Sequence, residues 1–233
     1  TYCATIMQQL LLDIKPVPSP VLANFVPGRN AELLQTLQNL PTEQAAERFV
    51  YVWGTPGCGK SHLLQATVAA YIQKKLKAVY CCAGKTGNFQ DMDENTADCL
   101  AIDDIENLDA PAQIALFNLY NRLRDSGRTR LLMSGSAAPM YLQLRQDLAT
   151  RIGWGLVYQV HELTDEEKTQ AMQTHAADCG FELSHDICKY LLRHGRRDLP
   201  SLLMTLEALD RYSLIHQRPI TIPLLRELLQ VTT

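Results

Sequence analysis

The 233-residue chain is short of several things, and each shortage excludes a class of protein. No apolar run approaches the roughly eighteen residues that a membrane-spanning helix needs, so no membrane association is expected. The start lacks the basic residues and long apolar core of a secretory signal. Seven cysteines (Cys3, Cys58, Cys81, Cys82, Cys99, Cys179 and Cys188) form no C-x-x-C pair and no metal-ligand spacing. Several stand in apolar runs, so they read as free buried thiols in a reducing cytoplasm rather than as disulfides or a zinc site. Excess charge is lacking too, since 22 Lys and Arg against 25 Asp and Glu leave a formal net charge of −3. That argues against a nucleic-acid surface over the whole molecule, though it leaves room for a local basic patch. Internal repeats are also missing.

What is present is a substantial core and one strong motif. Hydrophobic residues make up 46% of the chain and charged residues 20%, the balance of a folded globular domain. The run Phe49-Val-Tyr-Val-Trp53 reads as a buried strand. It leads directly into Gly54-Thr55-Pro56-Gly57-Cys58-Gly59-Lys60-Ser61, after which Leu63, Leu64, Val68 and Ile72 give a helical period. Strand, G-x-x-x-x-G-K-[ST] loop and helix form the context of a phosphate-binding loop. The glycines let successive backbone N–H groups converge on phosphate oxygens, and the helix N-terminus adds partial positive charge. Lys60 is expected to reach the β- and γ-phosphates and Ser61 to ligate Mg²⁺, so the cofactors read as ADP or ATP with Mg²⁺.

Before this loop, Asn30 is placed to N-cap a helix carrying Leu33, Leu34, Leu37 and Leu40, ended by Pro41. After it, Ala78–Cys82 reads as a second strand and Cys99 to Asp104 as a third, closing on two carboxylates. Such a strand has the Walker B form, with Asp103 placed to hold Mg²⁺ through water and Asp104 to polarise an attacking water. The plainer alternative is a strand-end Asp that caps the next turn. Asp109 opens a helix with Ile114, Phe117, Leu119, Tyr120 and Leu123, stopping near Gly127. Arg130–Ser134 is a fourth strand, and the hydroxyls of Ser134-Gly135-Ser136 face the crevice where open parallel sheets bind ligands. Leu148–Ile152 forms a short helix bearing Arg151, and Leu156–Val160 the fifth strand.

From there the pattern is helical. Thr164 and Glu167 make a capping box with Gly180 as the stop, Ser184 to His194 follows, Asp198 caps a helix to His216, and Pro223 opens a last one. The expected architecture is α/β, an αβα sandwich with a five-stranded parallel sheet followed by a small helical lid. Residues 1–20 read as a tail, 21–162 as the nucleotide-binding base and 163–233 as the lid. In the tail, a leucine cluster precedes Lys15-Pro-Val-Pro-Ser-Pro20, and either docks elsewhere or packs back on its own domain.

Asn24-Phe25-Val26-Pro27-Gly28, Gly54 to Leu64 including His62, Ile102-Asp-Asp-Ile105 and Thr150-Arg-Ile-Gly-Trp-Gly155 resemble, in that order, motifs of the DnaA-related AAA+ ATPases. The resemblance runs from about residue 21 to 230. It implies an AAA+ P-loop fold, with Phe25, Val26 and His62 joining the loop at the nucleotide. It implies that Arg151 is an arginine finger acting in trans on a neighbour's nucleotide, and that Arg197, in Arg197-Asp-Leu199, is a lid arginine touching the phosphates. Ser134 and Ser136 flank the sensor position, where Gly135 replaces the acidic residue these proteins carry. That departure suits an adaptor that holds ADP as a structural ligand, with weak or no hydrolysis of its own. The segment Gln9-Leu10-Leu-Leu12-Asp-Ile14 is similar to a clamp-binding peptide, Gln9, Leu10, Leu12 and Ile14 being its contacts. An extended peptide offers alternate side chains to such a groove.

The resemblance thus implies a negative regulator of replication initiation. It would couple the DNA polymerase III sliding clamp (beta subunit) to DnaA and stimulate hydrolysis of DnaA-bound ATP. The chain stops where DnaA continues into its helix-turn-helix domain, so DNA contact is expected to be indirect or weak, and a homo-oligomer is one assembly it allows. The alternatives are a self-hydrolysing DnaA-like ATPase or helicase loader, and a bare DNA-binding module. For the last, the clusters Arg122/Arg124/Arg128/Arg130 and His194–Arg197 are short and lack interleaved aromatics.

Overall fold

The computed structural model describes residues 20–42, 47–83 and 97–231. Five strands, β1 (Phe49–Trp53), β2 (Ala78–Cys82), β3 (Cys99–Asp103), β4 (Arg130–Gly135) and β5 (Leu156–Gln159), pair in parallel in the order β2-β3-β4-β1-β5. The register aligns the strand ends, with Trp53 beside Gly135 and Cys82 beside Asp103. The loops after β1, β3 and β4 therefore open on one edge of the sheet, the edge where parallel sheets bind ligands.

Successive residues of a strand face opposite sides, and both faces of this sheet are covered. Tyr51, Leu100, Ile102, Leu131 and Met133 pack against α3 (Ala110–Ser126) and α4 (Gln146–Ile152). Val50, Val52, Cys99, Ala101 and Leu132 pack against α1 (Ala31–Asn39) and α2 (Lys60–Gln73). A third cluster joins α5 (Asp165–Asp178), α6 (His185–His194), α7 (Leu199–His216) and α8 (Ile222–Val231) through Met172, Ile187, Leu191, Leu206 and Leu224. The helix starts follow their caps. Asp109 accepts the Ala112 amide at 2.9 Å, Thr164 and Glu167 exchange side-chain and backbone bonds, and Asp198 accepts the Ser201 amide at 3.0 Å. Among the described residues, no helix is long and apolar enough to cross a membrane.

Several local expectations are corrected. Asn30 precedes α1 but does not cap it, because its amide brackets the backbone of His161, donating to the carbonyl at 2.9 Å and accepting from the N–H at 2.7 Å. This ties the start of α1 to the chain leaving β5. On α2 the buried stripe ends at Tyr71, whose hydroxyl donates to the Leu40 carbonyl at 2.8 Å, while Ile72 is exposed. On α3 Leu116 is buried and Ile114 exposed, so the apolar stripe runs 116-119-120-123. Strand β4 takes in Gly135, whereas Asp104 and Val160 lie just outside their strands. Cys58, Cys81, Cys99 and Cys188 are buried free thiols as expected, but Cys179 is exposed at the end of α5.

Candidate nucleotide site

The loop between β1 and α2 turns on Gly57 (φ +83°) and Gly59 (φ +103°), conformations that side chains disfavour. Gly59 also has Phe25 against it, since an added Cβ would stand 2.9 Å from the ring, so Phe25 closes one side of the loop, with Val26 following it. Lys60 is nearly buried, and its ammonium donates to the carbonyls of Gly54 (2.8 Å) and Thr55 (3.1 Å). Thr55 donates to the Glu162 carboxylate, tying the loop to the segment after β5, and Pro56 is exposed. Cys58 is tucked beneath the loop, where burial raises its thiol pKa against the opposing effect of Lys60. Ser61 is exposed in the first turn of α2. His62 contacts the Val21 carbonyl at 3.3 Å and the Phe25 ring, and burial lowers its pKa.

Asp103 ends β3 almost wholly buried, and a hydroxyl holds each of its oxygens. Ser134 donates to Oδ1 and Tyr80 donates to Oδ2 at 2.6 Å. Ser134 also accepts the backbone N–H of Asp104 at 3.0 Å, so one side chain on β4 fixes both residues of the pair. Asp104 turns out of the strand in a left-handed conformation (φ 56°, ψ 49°), which aims the two carboxylates differently. Burial, then Asp103, then Glu106 raise the Asp104 pKa, while Lys60 pulls it down, so the loop lysine and the strand-end carboxylate share one electrostatic site. Ser136 is exposed and stands apart from this hydroxyl–carboxylate set.

The two arginines lie elsewhere. Arg151, near the end of α4, rests its guanidinium 4.0 Å from the centre of the Trp154 ring and 5.8 Å from that of Phe117. It has no ion pair or hydrogen bond from its side chain among the described residues. Arg197 is exposed and paired with Asp165 of α5 at 2.5 Å. Neither hydrogen-bonds to the phosphate loop or to Asp103 and Asp104. Gln9, Leu10, Leu12 and Ile14 lie outside the described residues.

These donors suit a phosphate–cation pair. Beyond Gly57 there is open space where a Cβ would stand, Lys60 would supply positive charge, and Ser61 directly, with Asp103 through water because hydroxyls hold both its oxygens, would supply oxygen ligands of the kind Mg²⁺ takes. A bound Mg²⁺ would neutralise phosphate charge there. Nothing in the residue pattern singled out Tyr80 or Glu162, since each reaches the site from a neighbouring segment through register and loop placement. A tyrosine in the strand beside the Asp103 strand is the nearest thing to a cue.

A glycine-loop nucleotide site at the edge of a five-stranded parallel sheet, followed by a helical segment, defines an AAA+ protein of the P-loop class. The family model for the bacterial DnaA ATPase domain matches residues 19–159, more than half of the chain, and the protein belongs to that family. The model for the Hda lid domain matches residues 165–229. Together the two correspond to Hda, a DnaA-related AAA+ protein, and support a DnaA-related replication regulator.

Among solved structures, domain III of the Thermotoga maritima replication initiation protein DnaA is similar at 21% identity and TM-score 0.72, over 91% of this chain and 96% of that one. AMPPCP-bound DnaA from Aquifex aeolicus is similar at 21% identity and TM-score 0.68, over 83% of this chain and 65% of that one. The Thermotoga maritima RuvB Holliday junction branch migration motor shares 14% identity at TM-score 0.64, over 86% of this chain and 67% of that one. At such identities the likeness is one of fold.

Proposed function

We propose that the protein is a nucleotide-bound adaptor that restrains replication initiation by stimulating hydrolysis of ATP on DnaA. In this reading residues 21–162 hold ADP or ATP with Mg²⁺, residues 163–233 close over it as a lid, and Arg197 contacts the phosphates. Gln9, Leu10, Leu12 and Ile14 dock on the sliding clamp, so clamp loading reports that replication is under way. Arg151 enters the nucleotide site of DnaA and offsets negative charge as the γ-phosphate is transferred, an effect worth about 10³–10⁵ in rate where a trans arginine is used.

The observation that carries the reading is the state of Arg151. Its charge rests on an exposed indole with no acidic partner among the described residues, so it is free to meet a partner's anion. Weak hydrolysis by the chain itself fits position 135, where glycine brings no carboxylate and an added Cβ would collide with the Tyr51 hydroxyl. The test uses purified clamp on DNA, ATP-loaded DnaA and the full chain. Arg151→Ala is expected to keep clamp binding and lose stimulation, whereas Gln9→Ala with Leu12→Ala loses clamp binding. Stimulation unchanged by Arg151→Ala would remove the finger. Sustained ATP turnover by the chain alone would favour the self-hydrolysing alternative.

A further inference from the structure

Trp154 stands at the surface. Tyr51, Tyr71 and Tyr120 are buried in the core, whereas Tyr141 is 75% exposed and Trp154 56% exposed. Its place is set by the chain on either side. The Trp154 N–H bonds the Arg151 carbonyl at 3.1 Å just past α4, and a Cβ on the next residue, Gly155, would run into the backbone of Phe49 on β1. The ring is therefore held at the surface by backbone geometry rather than by burial.

Two cations share it. Arg151 lies 4.0 Å from the ring centre and Arg124, on α3, lies 5.4 Å from it. Arg124 has a carboxylate neighbour, Asp125, at 3.8 Å, and Arg151 has none among the described residues. An aromatic face attracts a guanidinium through its quadrupole and leaves the five N–H donors unspent. An arginine held by a carboxylate would have to break charge-assisted hydrogen bonds before meeting another anion. A stacked one does not.

We infer that Trp154 is a positioning residue: its ring holds the Arg151 guanidinium stacked and, among the described residues, without a carboxylate partner, for the polyphosphate of a nucleotide bound by a partner subunit. Arg124, on the same ring, adds a second positive charge to the seam. This rests on the trans-arginine reading above and names the device that makes it efficient. Fixing one long side chain in advance lowers the ordering cost at the moment of reaction, so it acts on the maximal rate more than on partner affinity.

The experiment measures hydrolysis of DnaA-bound ATP against concentration of the full chain, separating maximal rate from half-saturating concentration. Trp154→Leu keeps apolar bulk without a π face, and is expected to lower the maximal rate about threefold to tenfold with little change in half-saturation. Trp154→Phe and Trp154→Tyr should recover most of it. Leu working as well as Phe, or a change confined to half-saturation, would overturn the positioning role. Arg151→Ala runs alongside: if it loses stimulation while Trp154→Leu does not, only the inference about Trp154 falls, and if it keeps stimulation the finger itself falls. A second readout needs no partner. In a Trp53→Phe background, Arg151→Ala should shift the emission of the single remaining indole, and an unchanged spectrum would deny the stack.

Discussion

The phenol of Tyr51 fills the space that a side chain on Gly135 would need. A Cβ at 135 would collide with the Tyr51 hydroxyl and stand 3.3 Å from Oε2 of Glu106, itself buried without a hydrogen-bond partner among the described residues. Tyr51 donates to the Ala137 carbonyl at 2.6 Å, and burial raises its pKa, so it stays a protonated donor. The glycine beside Ser134 is therefore one half of a packing pair.

Gly135→Asp should destabilise the protein by about 1–3 kcal/mol, the usual range for overpacking, with added repulsion from Glu106. Tyr51→Phe removes the colliding oxygen, so the double variant should recover part of that loss. Denaturant unfolding of the two singles and the double checks this, and additive effects would show the pair to be uncoupled.

Ser134→Ala removes the donor to Asp103 and the acceptor of the Asp104 N–H in one change. Leaving such buried groups unpaired costs about 1–3 kcal/mol. Because Asp103 would lose its orientation, nucleotide affinity measured with Mg²⁺ should fall more than affinity measured in a chelator. Tyr80→Phe, which frees only Oδ2, should do the same to a smaller degree.

Arg197 must leave Asp165 before it can touch a phosphate. Both groups are largely exposed, at 61% and 49%, and such a pair is worth about 0–1 kcal/mol. Asp165→Asn should therefore leave stability nearly unchanged and tighten nucleotide binding up to about fivefold, while Arg197→Ala weakens it. Calorimetric titration distinguishes the two. Tighter binding in Arg197→Ala would remove this arginine from the site.

Burial lowers the pKa of His62 from its ordinary value of 6.5. The folded protein thus binds this proton less readily than the unfolded chain, so the stabilising contribution is complete above pH 6.5 and is lost as pH falls toward the lowered folded value. Melting temperature should drop between pH 7 and 5, because burial opposes the charged ring more than its contact with the Val21 carbonyl favours it. His62→Gln should flatten that part of the profile. The opposite slope would place the ring in a setting that favours its charge.

The layers of the fold were legible in the sequence because they follow from local periodicity and punctuation. The β-branched and aromatic run at 49–53 made a strand, the Gly57-Cys-Gly59 turn made a phosphate loop, and the caps at Asp109, Thr164, Ser184 and Asp198 started helices where their side chains could bond free backbone amides. Where a face had two candidates, the sequence was ambiguous. Tyr71 and Ile72 both continue the helical spacing from Leu64 and Val68, and the less hydrophobic of the two is the one buried, its hydroxyl bonded to the Leu40 carbonyl.

A parallel sheet with a phosphate loop at its edge follows from the order of residues alone, since hydrophobic spacing and glycine dihedrals act over a few residues. It took three-dimensional packing to bring Tyr80 and Ser134 onto Asp103, to set Tyr51 against position 135, and to carry Arg124 of α3 over the ring of Trp154. Each of those is a contact between distant segments, set by strand register and packing volume, and neither quantity is written in any one stretch of residues.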